Sequence, residues 1–219
     1  MIQLNQLNHI LKDLDFSSEI RKSLKTSRKK WLTVTKYSLY KLLKEELGNG
    51  SSDLVTRPSG QAMRERIERD MDKEGNGAVI ALDFSKIGIV DYSCADEIVA
   101  KLISRLLSGE YGDKYIVLCG LNENQKENIE VALERKDLAV MAETRDGRKV
   151  LLGHLNNYLQ ETLEVIEKKN KITAGDLSTA LKLPANTSGT RLLNLHKKRL
   201  VRRFDEIRDG GRIWVYEKI

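Results

Sequence analysis

The chain has 219 residues, of which 40% are hydrophobic and 32% are charged, and its formal net charge is +6 at pH 7. This length allows one or two domains, and the composition is that of an ordinary soluble protein with a heavily charged surface. No apolar run approaches the roughly 20 residues of a membrane span, and the N-terminus lacks the basic start and apolar centre of a signal peptide. Two cysteines, Cys94 and Cys119, are too few for a disulfide framework. We therefore expect a cytoplasmic protein with no membrane partner.

The middle of the chain is acidic and both ends are basic. Residues 1–50 carry about ten Lys or Arg against five Asp or Glu, and residues 153–219 carry about thirteen against eight. Residues 51–152 carry about fifteen Lys or Arg against nineteen Asp or Glu. Because basic surfaces attract nucleic acids and other polyanions, this distribution predicts a polyanionic partner for the ends only.

Residues 1–50 are predicted to form a short helical segment. Leucine and isoleucine recur at helical spacing between positions 4 and 14, and residues 37–47 (YSLYKLLKEEL) indicate a helix that ends at Gly48. The basic run Arg28–Trp31 leaves two interpretations open. It is either a contact for nucleic acid or another partner, or a solvated helix face whose tryptophan turns into the core.

Residues 51–153 are predicted to form an α/β domain in which helices cover a sheet. Ala78–Leu82 (AVIAL) is a short apolar run without a helical stripe, which indicates a buried strand. Ser93 and Asp96 match a capping box, so we expect a helix to begin at Ser93. The predicted elements are strands at 53–56, 78–83 and 115–119, helices at 61–71, 93–107 and from Asn122 or Asn124 to about Glu134, and a hairpin of strands 138–144 and 149–152 around Asp146 and Gly147.

Three short motifs lie in this region: Leu82–Phe84 (LDF), Asp91–Glu97 (DYSCADE) and, ahead of the first helix, Thr56–Gly60 (TRPSG). Together they resemble the STAS-like domains related to bacterial anti-sigma-factor antagonists, over residues 52–153. The resemblance implies a sheet covered by helices, with an acidic and serine-containing elbow between a strand and a helix.

The resemblance also implies a regulatory site at that elbow. In anti-sigma-factor antagonists, the serine directly after the aspartate is phosphorylated, at the positive end of the helix dipole. In this chain Tyr92 holds that position, and the serine, Ser93, comes one residue later. Asp91, Tyr92 and Ser93 are therefore candidate regulatory or partner-binding residues, and the alternative is that Ser93 only caps the helix.

Residues 154–219 are predicted to form a second domain. Leucine and isoleucine spacing predicts a connecting helix at 155–168, and Thr173 with Asp176 three residues later predicts a capped helix after it. The remaining predicted elements are a turn at 182–187, a helix at 188–200, and strands at 201–204 and 213–216 around Asp209–Gly211. This order of elements is that of a winged helix-turn-helix: two helices, a turn, a third helix and a two-stranded ribbon.

The pattern of leucines over residues 156–219 carries a second resemblance. The matching residues are Leu177, Ala180, Leu181, Leu183, Leu192, Leu195 and Leu200–Arg203. They resemble the winged helix of bacterial transcription regulators of the multiple-antibiotic-resistance-repressor type. One departure is Arg199, where that family usually has a glycine at the end of the helix.

The helix predicted at 188–200 carries the candidate DNA-binding residues. Its outward face, with the approach to it, consists of Asn186, Thr187, Thr190, Arg191 and Asn194, and these side chains suit base edges or phosphates. We expect phosphate contacts from Lys197, Lys198, Arg202 and Arg203, and wing contacts from Arg208 and Arg212. The open alternative is a winged helix that packs on a protein and has a basic, solvated face.

Catalytic and metal chemistry have little support in the sequence. The three histidines, His9, His154 and His196, are too scattered for close ligand spacing, and no phosphate loop or nucleophile elbow is present. We therefore expect no cofactor, no metal and no enzyme activity. The sequence favours a cytoplasmic regulator that binds duplex DNA, as a homodimer because half-sites are usually read in pairs. The alternative is a signalling module whose two domains dock on proteins such as a kinase or an ATPase.

Overall fold

The computed structural model describes residues 34–48, 50–208 and 211–219. The helix predicted between positions 4 and 14 and the basic run Arg28–Trp31 lie outside these residues. The described chain is a mixed α/β structure with a five-stranded, mostly parallel sheet and a separate three-stranded antiparallel sheet. The predicted α/β class is therefore confirmed.

The five-stranded sheet has the strand order β1-β2-β3-β4-β5. Its strands are β1 (Val34–Ser38), β2 (Val79–Asp83), β3 (Tyr115–Leu121), β4 (Ala139–Thr144) and β5 (Lys149–Gly153). The first four are parallel, and β5 runs antiparallel to β4. The run AVIAL is thus an interior strand with a neighbour on each side, which explains why it is apolar without alternation. The hairpin predicted around Asp146 and Gly147 is confirmed as β4 and β5.

Four helices pack on one face of this sheet. They are α1 (Leu39–Leu47), α2 (Arg57–Met71), α3 (Tyr92–Leu107, in three segments) and α4 (Glu123–Glu134). Ile80 and Leu82 of β2 and Ile116 of β3 belong to the same buried apolar cluster as side chains from all four helices. Of the two predicted starts for α4, the structure has Asn122, whose side chain completes a capping box with Gln125.

The region before residue 51 requires a correction. Residues 34–38, which are predicted to belong to a helical segment, form the edge strand β1 and pair with β2. This strand is half exposed and carries no apolar run, so its sequence has no clear strand signal. Residues 53–56 are not a full strand, because only Leu54 pairs there, in a bridge with Val90.

Helix α3 begins one residue before the predicted Ser93, and its cap lies two residues before Ser93. The cap is Asp91, whose carboxylate accepts a hydrogen bond from the Cys94 amide at 2.7 Å, while the Ser93 hydroxyl donates to Asp91 at 2.9 Å. Helix α3 continues as an α-helical turn (Tyr92–Ala95), a π-helical segment (Asp96–Lys101) and a second α-helical segment (Leu102–Leu107). Ser93 with Asp96 therefore does not form the predicted capping box.

The rest of the chain forms three helices and the smaller sheet. Its elements are α5 (Asn157–Lys169), β6 (Lys171–Thr173), α6 (Ala174–Leu181), α7 (Ala185–Lys197), β7 (Val201–Arg208) and β8 (Gly211–Lys218), with the sheet order β6-β8-β7. The predicted capping box of Thr173 and Asp176 is confirmed at the start of α6. Strand β6 has only three residues and was not predicted. Helix α7 lies three residues earlier than predicted, because Pro184 takes its N-cap position and residue 199 leaves helical geometry.

A second apolar cluster joins this C-terminal part to the large sheet. Leu159 and Leu163 of α5 and Leu192 of α7 belong to it, and so does Ala139 of β4. Because side chains alternate along a strand, Ala139 faces away from Val140, which lies in the helix-covered cluster. The C-terminal part therefore packs on the face of the sheet opposite α1–α4.

Within the ranges that the structure describes, no helix combines the length and the apolar character needed to cross a membrane.

Gly153 provides a stability test of the point where β5 leaves the large sheet. Its φ is +85°, and a Cβ added there would lie 2.1 Å from the Leu138 carbonyl oxygen. Gly147, in the hairpin turn, has a φ of +82° and nothing within 4 Å of such a Cβ. We expect Gly147→Ala to lower the free energy of unfolding by about 1 kcal/mol through backbone strain alone, and Gly153→Ala by about 3 kcal/mol or more through strain and the clash.

Urea denaturation of the two variants measures this difference. Equal losses of stability would show that the contact between Gly153 and Leu138 is not tight.

Candidate nucleic-acid interface

Helix α7 presents the residues that the sequence predicts to read DNA. Ser188, Leu192 and Leu195 are fully buried and fix which side of the helix faces the core. The opposite side, with Tyr158 from the first turn of α5, lines an open groove of about 420 Å³, whose residues are Tyr158, Asn186, Thr187, Thr190, Arg191 and Asn194. The structure thus brings all five predicted base-reading residues together and adds Tyr158. The sequence does not predict that Tyr158 lies in the groove. Its position there depends on the packing of α5 against α7, which lie about 30 residues apart in the chain.

The polar side chains of the groove are small and partly bonded to their own helix. The Thr190 hydroxyl donates to the Asn186 carbonyl oxygen at 2.9 Å, and the Asn186 side chain accepts from the Thr187 amide at 2.8 Å. Asn186 and Thr190 are exposed. Each retains donors and acceptors for a base edge or a phosphate.

Arg191 is held against α5 rather than extended into solvent. Its guanidinium donates to the Glu161 carboxylate at 2.9 Å and to the Tyr158 carbonyl oxygen at 3.3 Å, and it lies 5.4 Å from the centre of the Tyr158 ring. Only 17% of its side chain is exposed. Arg191 therefore needs to leave Glu161 before it can contact a ligand in the groove.

The predicted phosphate-contacting residues fall into two groups. Lys197, the last residue of α7, and Arg212, on β8, are exposed. By contrast, Arg202 lies over the ring of Tyr115 in the large sheet, and the Arg203 guanidinium stacks 3.7 Å from the centre of the Trp214 ring. Lys198 is half-buried, and the side chain of Arg208 lies outside the described residues.

Arg199 connects the end of α7 to the large sheet. Its φ is +57°, in the left-handed region that glycine favours and where the resembled family has a glycine. Its guanidinium pairs with the Asp113 carboxylate, donates to the Gly112 carbonyl oxygen at 3.2 Å and lies 5.7 Å from the centre of the Tyr115 ring. These contacts hold an arginine in a conformation that non-glycine residues rarely adopt.

Tyr115 and His196 pack together at the same junction. The Tyr115 hydroxyl and His196 Nδ1 are 3.4 Å apart. Burial lowers the pKa of His196 and raises the pKa of Tyr115 to about 12. Both side chains are therefore neutral at pH 7, as suits a packing role.

The candidate regulatory residues surround the start of α3. Burial alone would raise the pKa of Asp91, but hydrogen bonds from the amides of Thr56 and Cys94 more than offset it, so the pKa is lowered. Tyr92 lies under the guanidinium of Arg135, at 4.7 Å. Asp91 thus works as a structural acceptor that ties the α2 and α3 helix starts together. Modification of Ser93 stays a prediction.

The neighbouring charges are paired inside the protein. Asp96 and Glu97, in the π-helical segment, are both buried. Arg57 donates to both of them, at 3.1 and 2.8 Å, and Lys136 pairs with Asp96. Burial raises the pKa of both carboxyl groups, but these cations together with Lys101 lower it further than burial raises it. This network joins α2 to α3 and leaves the two carboxylates ionised at neutral pH.

The described residues support neither a reactive cysteine nor a metal site. Burial raises the pKa of the Cys94 thiol to about 12, so the helix start does not activate it. Over residues 34–48, 50–208 and 211–219, no group of three or more His, Cys, Asp or Glu side chains is placed to hold a metal ion.

Comparison with known proteins gives little further information. No family model matches the chain, and no curated protein matches it. Among solved structures, it is similar to a possible transcriptional regulator from Methanosarcina mazei Go1, with 24% sequence identity and a TM-score of 0.28. The match covers 30% of this chain and 57% of that protein, so the chain spans little more than half of that protein's length. A likeness this weak establishes neither a shared fold nor a function, and both family resemblances of the sequence stay predictions.

Proposed function

We propose that residues 154–219 form a winged helix-turn-helix that binds duplex DNA, and that the chain is a DNA-binding transcription regulator. The observation that carries this proposal is the groove on α7, where Asn186, Thr187, Thr190 and Asn194 lie side by side on one helix face. A helix fits the major groove, and the amide of asparagine pairs well with adenine. The antiparallel hairpin β7–β8 follows α7 directly, as a wing does.

The charge of this part of the chain supports the same proposal. Residues 182–219 carry about ten Lys or Arg against four Asp or Glu. The pair of Asp205 with Arg212 at 2.9 Å lies within this range and leaves its excess of positive charge unchanged, whereas Glu206 pairs with Lys171, a cation outside the range. The surface that an approaching duplex meets is therefore basic, which favours contact with phosphates.

The large sheet has a separate role in this proposal. It holds α7 through Arg199 and Tyr115, and the elbow at Asp91–Ser93 on its helix-covered side is the place where a protein partner or a modification acts. The STAS-like resemblance supports this role.

A protein-docking function is the second candidate. It is favoured by the fact that Arg191, Arg202 and Arg203 are each held by a protein carboxylate or ring rather than extended. A partner that met this face would encounter fewer available cations than the sequence alone suggests.

The DNA proposal is tested by neutralising Lys197 and Arg212, the exposed cations at the end of α7 and on the hairpin. Fluorescence anisotropy with a random-sequence duplex, over a salt series, gives the slope of log affinity against log salt. Each phosphate contact contributes about 0.9 to that slope, so Lys197→Gln with Arg212→Gln is expected to lower it by about 1.8.

A matched control carries the same charge change on the large α/β part, at Lys126 of α4 and Arg148 of the β4–β5 turn. Lys126→Gln with Arg148→Gln is expected to leave the slope unchanged. Absence of binding at low salt, or equal losses in the two double variants, would contradict the proposal and favour a protein partner.

The contact between Glu161 and Arg191 gives a second test. Because Glu161→Gln removes the charge that holds Arg191, we expect it to strengthen DNA binding by roughly two- to fivefold, the value of a partly exposed ion pair. Glu164→Gln, one turn further along α5 and 4.0 Å from Lys168, removes an equal charge without releasing Arg191. If both variants strengthen binding equally, Arg191 does not contact DNA and only net charge matters.

A further inference from the structure

Strand β7 lies at an edge of the smaller sheet. The sheet order is β6-β8-β7, and among the described residues β7 pairs with β8 alone. Every second residue of a strand points its amide and carbonyl groups to the same side, so half of the backbone groups of β7 point away from β8. The strand has eight residues, which is longer than the usual length of about five or six. A long edge of this kind is a template for pairing with another strand.

The charges of β7 are antisymmetric about its centre. Residues 201–207 (VRRFDEI) place two arginines before Phe204, two acids after it and an aliphatic residue at each end. When two copies of this strand pair antiparallel about Phe204, each arginine therefore faces an acid of the other copy. The facing pairs are Arg203 with Asp205, Arg202 with Glu206, and Val201 with Ile207. The strand thus complements a second copy of itself.

Charge also selects one register of this pairing. A two-fold axis perpendicular to the sheet keeps each face of the strand on the same face of the joined sheet, so the register shifts only in steps of two residues. A shift in one direction places Arg203 opposite Arg203 of the second copy, and a shift in the other direction places Asp205 opposite Asp205. Like charges directly opposite each other destabilise a sheet, whereas opposite charges stabilise it. Of these registers, the one centred on Phe204 is therefore favoured.

The inner charge pair of this register has bonding capacity left. Arg203 and Asp205 are two residues apart on β7, so their side chains lie on the same face of the sheet. The Arg203 guanidinium stacks 3.7 Å from the centre of the Trp214 ring, and its buried Nε has no hydrogen-bond partner within the described part of the chain. The Asp205 side chain is 43% exposed and pairs with Arg212 through Oδ2 at 2.9 Å. Because a carboxylate accepts through both oxygens, Asp205 is able to bind a second guanidinium.

We propose that two copies of the chain associate through β7, which joins their smaller sheets into one six-stranded antiparallel sheet in the order β6-β8-β7-β7-β8-β6. The two-fold axis passes beside Phe204, and each Arg203 pairs with Asp205 of the other copy. The partner that this edge fits is therefore a second copy of the same chain. The inference goes beyond the proposed function, because it assigns a surface for self-association that forms with or without DNA.

Charge reversal tests this pairing, with sedimentation velocity over a concentration series and no DNA. Asp205→Arg places two cations opposite each other, and Arg203→Asp places two carboxylates opposite each other. Because the two-fold axis repeats the contact, each variant turns two attractive pairs into repulsive pairs, and we expect dimerisation to weaken by about tenfold. An equimolar mixture of the two variants restores opposite charges at both contacts. Dimers are therefore expected to return in the mixture, as heterodimers.

Glu164→Lys is the matched control, because it changes the net charge as Asp205→Arg does, at an exposed site on α5. It is expected to dimerise like the wild type. Return of dimers in the mixture also shows that both single variants are folded, so their failure to dimerise alone is not a loss of structure.

Three results would overturn the inference. They are a wild-type protein that stays monomeric throughout the concentration series, dimers that persist in both charge-reversal variants, and a mixture in which dimers do not return. None of these results bears on the DNA-binding proposal, which the salt series with duplex DNA tests separately.

Discussion

The attachment of Arg199 to the large sheet is the constraint on which the C-terminal part of the structure depends. The residue ends α7 in a left-handed conformation and leads the chain into β7. Its side chain reaches Asp113 and Tyr115 at the start of β3. The same residue therefore sets where the helix stops, where the hairpin begins and how both are held against the sheet.

The left-handed conformation of Arg199 lowers stability, and other contacts at this junction offset the loss. A left-handed conformation costs a non-glycine residue about 1–2 kcal/mol, and a partly exposed ion pair returns at most about 1 kcal/mol. The remaining stabilisation comes from packing, since Ala139, Met141 and Leu151 of the large sheet contact the apolar cluster of α5, α6 and α7. A glycine at position 199 would relieve the strain but would lose the link to Asp113. The arginine thus links the end of α7 directly to the start of β3.

Local signals in the sequence predicted the elements whose stabilising contacts are local. Three of these elements depend on residues close together in the chain. They are the apolar run of β2, the turn at Asp146 and Gly147, and the capping box of Thr173 with Asp176. The start of α3 was misplaced because Asp91 and Ser93 are both good caps two residues apart. Asp91 also accepts a hydrogen bond from the amide of Thr56, 35 residues earlier in the chain, at 3.0 Å, and this distant contact favours it as the cap.

Features that depend on contacts between residues far apart in the chain could not be predicted from the sequence. Strand β1 is half exposed and becomes a strand because β2 offers it an edge. In the candidate site, helical spacing correctly grouped Asn186, Thr190 and Asn194 on one face. It could not show that Glu161, 30 residues away, holds Arg191, or that the Tyr115 ring lies under Arg202. The groove was predictable from the sequence, but the contacts that hold Arg191 and Arg202 were not.

Amide hydrogen exchange, followed with and without a duplex at low salt, tests the central claim most directly. If α7 and the hairpin β7–β8 form the DNA-binding face, DNA should slow exchange in Ala185–Lys197 and in the strands Val201–Arg208 and Gly211–Lys218. It should leave α4 on the far side of the large sheet unchanged. Slowed exchange confined to α2, α3 or α4, with none in α7 or the hairpin, would contradict the account and place the binding surface on the helix-covered face of the sheet.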